Sequence, residues 1–101
     1  MVDVIRAHIE MEPGVPNPRP KIKGSRIRVQ DIVIWHDKLG MDFYAILHDH
    51  PTLTHADLHA ALAYYWDNRE EVERQIDEDC ALIEELKRRT PSPLAEKLAR
   101  S

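Results

Sequence analysis

The sequence predicts a mostly α-helical domain: a tri-helical, helix-turn-helix core preceded by a short N-terminal β-hairpin or arm and followed by a long C-terminal helix. Three observations carry this expectation. Residues 19–29 alternate short β-type side chains with cations around Gly24, a pattern suited to extended chain and a tight turn. From Gln30 onward the apolar positions switch to helical spacing, with cap or stop residues at the boundaries. Residues 69–89 then repeat apolar or small side chains every three or four positions, a single stripe about 30 Å long at 1.5 Å per residue.

The elements follow in order. Val4 to Met11 reads as a strand, ended by Pro13-Gly14 and the proline-rich run Val15 to Pro20, where missing N–H donors exclude both ladder and helix interior. A second short strand, Lys21 to Lys23, reaches the Gly24-Ser25 turn, with Gly24 the position that needs positive φ. Ile27-Arg28-Val29 continues as extended chain. The first helix covers 30–39, with Asp31 in its first turn and Gly40 as its stop. Asp42 caps a short second helix burying Phe43, Ile46 and Leu47, and Pro51 ends it by about His50.

Thr54 with Asp57 forms a capping box for the third helix, and Leu53 is placed to staple onto Leu58. That helix runs to about Trp66. Asn68 with Glu71 repeats the capping pattern, so a break there opens a fourth helix over 69–89. Its stripe is Val72, Ile76, Cys80, Ile83 and Leu86, with Cys80 expected as a small buried apolar group. Pro91 and Pro93 stop the helix, and Leu94 and Leu98, spaced i and i+4, could form one more amphipathic turn in the tail. The organisation is one domain over 1–89, comprising a β arm (1–29), a tri-helical core (30–66) and the long helix (69–89), with a tail at 90–101.

The 101 residues allow one core, near the size at which partner surfaces contribute stability. A lone cysteine excludes an internal disulfide framework and fits a reducing compartment. No apolar run approaches a membrane span and no secretory leader pattern is present, so the expected location is cytoplasmic. Residues 1–40 carry seven Lys/Arg against five Asp/Glu, whereas 41–101 carry seven against thirteen. A slightly basic front and an acidic back imply separate surfaces for different partners.

Two readings compete for the basic stretch Arg19, Lys21, Lys23, Arg26 and Arg28. It is an anion-binding arm for DNA phosphate, or it is a solvated hairpin whose cations keep an edge strand from pairing with strangers. The third helix, in recognition-helix position, presents His55, His59 and Tyr64 outward and contains no Lys or Arg, so bidentate guanine reading is absent there. His48, His50, His55 and His59 crowd one region, the last two at the i, i+4 spacing of a zinc pair. No Cys accompanies them, and the reading is of exposed or capping histidines, with no metal site. No nucleophile elbow, phosphate-cradling glycine loop or metalloprotease spacing occurs. The acidic cluster from Glu70 to Asp79 is either the wet face of the long helix or a complement to a basic partner.

The motifs Ile22-Lys23-Gly24-Ser25-Arg26-Ile27-Arg28-Val29, Gly40-Met41-Asp42, His50-Pro51-Thr52-Leu53-Thr54, Ala60-Ala61-Leu62-Ala63-Tyr64-Tyr65 and Asn68-Arg69-Glu70-Glu71-Val72 together resemble the bacterial and archaeal family known as domain of unknown function 433, over about residues 5 to 77. Ser25, Asp42 and His50 stand where that family typically has threonine, serine and tyrosine. The resemblance implies a homeodomain-like helical fold and an antitoxin-like role beside a PIN-like nuclease toxin. The family has no established catalytic residues, so none is carried over to this chain, and no cofactor is expected.

The functional expectation is therefore a non-enzymatic, dimeric antitoxin-like protein. It would mask a PIN-like toxin through Val72, Ile76, Ile83, Leu86, Leu94 and Leu98, and possible operator DNA would be met by the basic arm with His55 and His59. The alternative is an interaction adaptor that dimerises through its C-terminal helix and binds no nucleic acid.

Overall fold

The computed structural model describes residues 4–89. Its order is a short helix α1 (Val4–His8), a hairpin of β1 (Ile9–Met11) and β2 (Pro20–Ile22), then α2 (Val29–Val33), α3 (Phe43–Asp49), α4 (His55–Asp67) and α5 (Arg69–Arg89). The mostly helical class, the small N-terminal sheet and the long last helix are those the sequence predicts.

The first difference lies at the N-terminus, where residues 4–8 are helical instead of extended. In a strand Ile5 and His8 would point to opposite faces, whereas three residues apart on a helix they share one. Both are used on the α4 side. Ile5 packs on the core cluster, α1 lies against α4, and His8 Nδ1 meets Asp57 Oδ1 at 2.7 Å. Only from Ile9 does the chain extend, antiparallel to β2, with Ile9 opposite Ile22 and Met11 opposite Pro20. Pro20 is tolerated as the first residue of an edge strand. The proline-rich loop is closed at its neck by Glu12 N donating to Arg19 O (3.0 Å).

The turn after β2 needs Gly24, whose φ is +76°. Ser25 Oγ accepts from Ile27 N (3.0 Å), and Ile22 N donates to Ile27 O (2.8 Å). Arg28 then leads into α2, where the Asp31 carboxylate accepts from Arg28 N (3.0 Å). The expected first helix over 30–39 is regular only to Val33. Residues Ile34–Lys38 widen into a π-helical segment, closed by Leu39 N donating to Ile34 O (2.9 Å). From this segment the Trp35 ring lies flat on His50, centroids 4.3 Å apart. Gly40, φ +71°, ends the segment.

The two expected N-caps hold. Asp42 Oδ1 accepts from Ala45 N (2.8 Å) at the start of α3. Thr54 Oγ1 accepts from Asp57 N (3.1 Å) while Asp57 Oδ2 accepts from Thr54 N (3.0 Å) at the start of α4. The expected third box, at Asn68, does not form. Asn68 closes α4 instead, with its Nδ2 donating back to Tyr64 O (3.1 Å), and Glu71 turns to Arg74.

α2 lies at the centre, packed on α4, α5 and β2. Ile22, Val29, Ile32, Val33, Ile46, Leu58 and Val72 are among the fully enclosed side chains there. α5 joins this core through Val72 and Ile76, with the Gln75 side chain buried beside them. Beyond Asp79 its side chains are exposed, Cys80 included, apart from half-buried Glu85. The expectation of a buried Cys80 fails because no described part of the body extends far enough along the helix to cover it.

Candidate interaction surface

Cations near the hairpin are mostly spent inside the molecule. Arg19 Nη1 donates to Gln30 Oε1 (2.8 Å) and pairs with Asp79 Oδ2 (2.7 Å), while Gln30 Nε2 donates to that same carboxylate oxygen (2.7 Å). Gln30 is buried, so this three-way contact ties the loop before β2 to α2 and to the midpoint of α5. Burial works against the Asp79 carboxylate, but hydrogen bonds from Gln30 and Arg19 and the Arg19 charge outweigh it and hold its pKa below the ordinary value. Lys21 pairs with Glu10 (2.6 Å) and Arg28 with Glu12 (2.9 Å). Of the five cations expected in an anion-binding arm, Lys23 and Arg26 are exposed and make no ion pair among the described residues.

A second polar tie joins the π-helical segment, α4 and α5. Tyr65 Oη donates to Glu73 Oε1 (2.5 Å), and Lys38 Nζ reaches both Glu73 oxygens (2.9 and 3.1 Å). The tyrosine hydroxyl first, then Lys38, keeps the Glu73 carboxyl below the usual glutamate range. Neither the Gln30 strap nor this tie was visible in the sequence, because partners 8 to 60 positions apart leave no local pattern.

The histidines do not converge. His55 and His59, exposed on α4, flank the Phe43 ring at 6.2 and 5.0 Å between centroids, and His55 meets Tyr44 edge-on. His50 stacks on Trp35, and His48 stands exposed beside Asp49. Among the described residues no group of three or more His, Cys, Asp or Glu could hold a metal ion. Tyr64, expected to point outward, packs partly against the core, and burial first, then Glu71, raises its pKa.

The residues proposed for partner contact divide into three sets. Val72 and Ile76 are buried in the molecule's own core, so they serve the fold and are not free for a partner. Ile83 and Leu86 are exposed at 51% and 53%, and Leu82, which the sequence stripe passed over, at 58%. Leu94 and Leu98 lie outside the described residues. At 100° per residue Ile83 and Leu86 project in the direction of Val72 and Ile76, with Leu82 at the margin. The core-facing side of α5 thus continues past the core as an uncovered apolar patch.

A helical body with a clamped hairpin and a projecting terminal helix is the class this arrangement defines. The chain belongs to the family described as protein of unknown function (DUF433), whose sequence model matches residues 9–65. It is similar in structure to a DUF433 member protein from Anabaena variabilis ATCC 29413, with 35% identity over 68% of this chain and 67% of that one and a TM-score of 0.62. No curated protein matches the chain. The matched span closes at Tyr65, within α4, so the whole of α5 lies outside it. No described helix is long and apolar enough to cross a membrane.

Proposed function

We propose that this chain is a non-catalytic, antitoxin-like interaction protein that acts by presenting the outer half of α5 to another protein. The observation that carries the reading is the exposed trio Leu82, Ile83 and Leu86: Ile83 and Leu86 continue the side of the helix that buries Ile76 and Val72 about two and three turns before Ile83, and Leu82 flanks them at its margin. Three aliphatic side chains left half or more in water on a small body mark a contact surface, because covering them is the favourable step in association. The body's role is mechanical. The Gln30 strap and the Glu73 tie fix the inner half of α5 so that the outer half is held out in one direction.

The partner the family resemblance points to is a PIN-like nuclease encoded beside this gene, and masking it needs contact, not chemistry. Operator DNA has no part in this reading. Three of the five hairpin cations already sit on carboxylates, leaving Lys23 and Arg26. Two phosphate contacts would give a salt slope of only about -2.

The test is co-expression with the neighbouring nuclease. Replacing Leu82, Ile83 and Leu86 together by glutamine, which keeps helix propensity, should abolish co-purification and relief of toxicity. Replacing Lys23 and Arg26 by alanine should leave both intact. Equal neutralisation by the glutamine variant and the parent chain would refute the assignment of the contact to this surface.

A further inference from the structure

Resting on the reading of α5 as an interaction helix, we propose that what covers Leu82, Ile83 and Leu86 in the free protein is the same surface of a second copy of this chain, laid antiparallel across a two-fold axis near Ile83. The segment is self-complementary. Asp77, Glu78 and Asp79 stand before the apolar trio, and Lys87, Arg88 and Arg89 stand after it. The two triplets lie at equal spacing on either side of Ile83, so turning one copy end for end sets each acidic triplet beside the other copy's basic triplet, lays Ile83 on Ile83 and brings Leu86 within two residues' rise, about 3 Å, of the other copy's Leu82.

Parallel pairing would instead stack acid on acid and base on base at the two ends, which disfavours that register. An isologous two-fold contact also closes on itself, so it yields a dimer and no longer assembly. Within one chain Glu78 and Asp79 share Arg19 and Arg74, and Arg88 and Arg89 share Glu85. Asp77 and Lys87 make no ion pair among the described residues, so each triplet brings an uncommitted charge to the contact. With only three aliphatic side chains a side, the pair is concentration-dependent and meets a nuclease partner by exchange, since both use one surface.

Cys80 supplies the test. In the antiparallel pair, position 80 of one copy lies within one residue's rise, about 1.5 Å, of position 87 of the other, and at 100° per residue both stand on the same edge of the helix face. Within one chain the same two positions are seven residues, about 10.5 Å, apart, beyond the reach of a disulfide. The full chain carrying Lys87→Cys, oxidised at about 50 µM, should convert to a covalent dimer at least tenfold faster than the parent chain, whose two Cys80 thiols lie about 10 Å apart along the pair. Peptide mapping should place the bond between Cys80 and the introduced thiol. Ile83→Glu should sediment as a monomer at about 100 µM with an unchanged helical circular-dichroism signal, while the parent chain sediments as a dimer.

A parent chain that links Cys80 to Cys80 just as fast, a parent chain that is monomeric at that concentration, or a dimer that survives Ile83→Glu would each overturn the proposal. The contact reading fails separately. If the parent chain is monomeric and the glutamine variant still loses the nuclease, the surface binds a partner without self-pairing. If the glutamine variant keeps the nuclease, the surface is not the nuclease contact, whatever the dimer does.

Discussion

The inner and outer halves of α5 differ in what surrounds them more than in what they are made of. Both repeat aliphatic side chains every three or four residues, and both carry charges between. Along the inner half Val72 and Ile76 are enclosed by α2 and α4, and Glu73 and Asp79 are tied to Lys38, Tyr65, Arg19 and Gln30. Along the outer half the same periodicity meets solvent. A hydrophobic stripe states that a surface is to be covered, and only the extent of the body decides whether the cover comes from the same chain. The body here reaches Asp79.

The largest expected effect tests the enclosed half of the comparison. Leu58→Ala removes a fully buried side chain from the contact of α4 with the core and should lower unfolding free energy by about 2–5 kcal/mol. Leu86→Ala, chemically the same change on an exposed helix face, should change it by less than about 0.5 kcal/mol at low protein concentration. Urea denaturation of the two variants side by side reads the ratio directly. Similar losses for both would mean that the outer half is covered within the monomer.

Next in size is the strap that ends the enclosed half. Arg19→Met keeps the aliphatic stem and removes the guanidinium, leaving the buried Gln30 amide and the Asp79 carboxylate without their shared donor. The expected cost is about 1–3 kcal/mol. Hydrogen exchange should quicken at residues 76–82 while the amides around Val72 stay protected, because Val72 is held by packing and the region near Asp79 by the strap.

The sequence made the helical boundaries legible wherever a cap is local. Asp42, Thr54 with Asp57, Gly24 and Gly40 each act within four residues of where they stand, and each does what its type and spacing predict. The strand expected over residues 4–8 failed because the choice between helix and strand there is made by α4, through Ile5 and His8, and α4 begins about fifty residues later. The π-helical segment was equally invisible, since its consequence, Trp35 on His50, depends on a partner fifteen positions on. At the candidate site the periodicity singled out Ile83 and Leu86, which the structure leaves exposed. It could not separate them from Val72 and Ile76, because spacing carries no information on where the body ends, and it passed over Leu82 at the stripe's margin.

A smaller effect, about 1 kcal/mol, is expected at the tie between the body and α5. Glu73→Gln loses the charge that Lys38 and the Tyr65 hydroxyl favour. Since the folded chain holds Glu73 below the ordinary carboxylate value, the stability it contributes is full above about pH 5 and is lost as the pH falls through that depressed folded-state value. The gap between parent and variant should therefore be widest near neutrality and close on acidification. A gap that stays constant from pH 7 to about pH 2.5 would assign the loss to the changed hydrogen-bond geometry and not to the charge.

The smallest effect on the isolated chain is the sharpest for the comparison. Leu82, Ile83 and Leu86 changed together to glutamine leave the core, the strap and the Glu73 tie untouched, and glutamine is nearly as good a helix former as leucine. At about 1 µM the thermal midpoint should match that of the parent within the equivalent of about 0.5 kcal/mol. Raising both proteins to about 100 µM separates them, because an interface that forms only in the folded state stabilises it by mass action. The parent midpoint should climb with concentration and the variant's should stay level, so the outer half contributes to stability only through another molecule. Were the variant already destabilised at the lower concentration, those side chains would be covered within a single chain, and the distinction between the two halves of α5 would disappear.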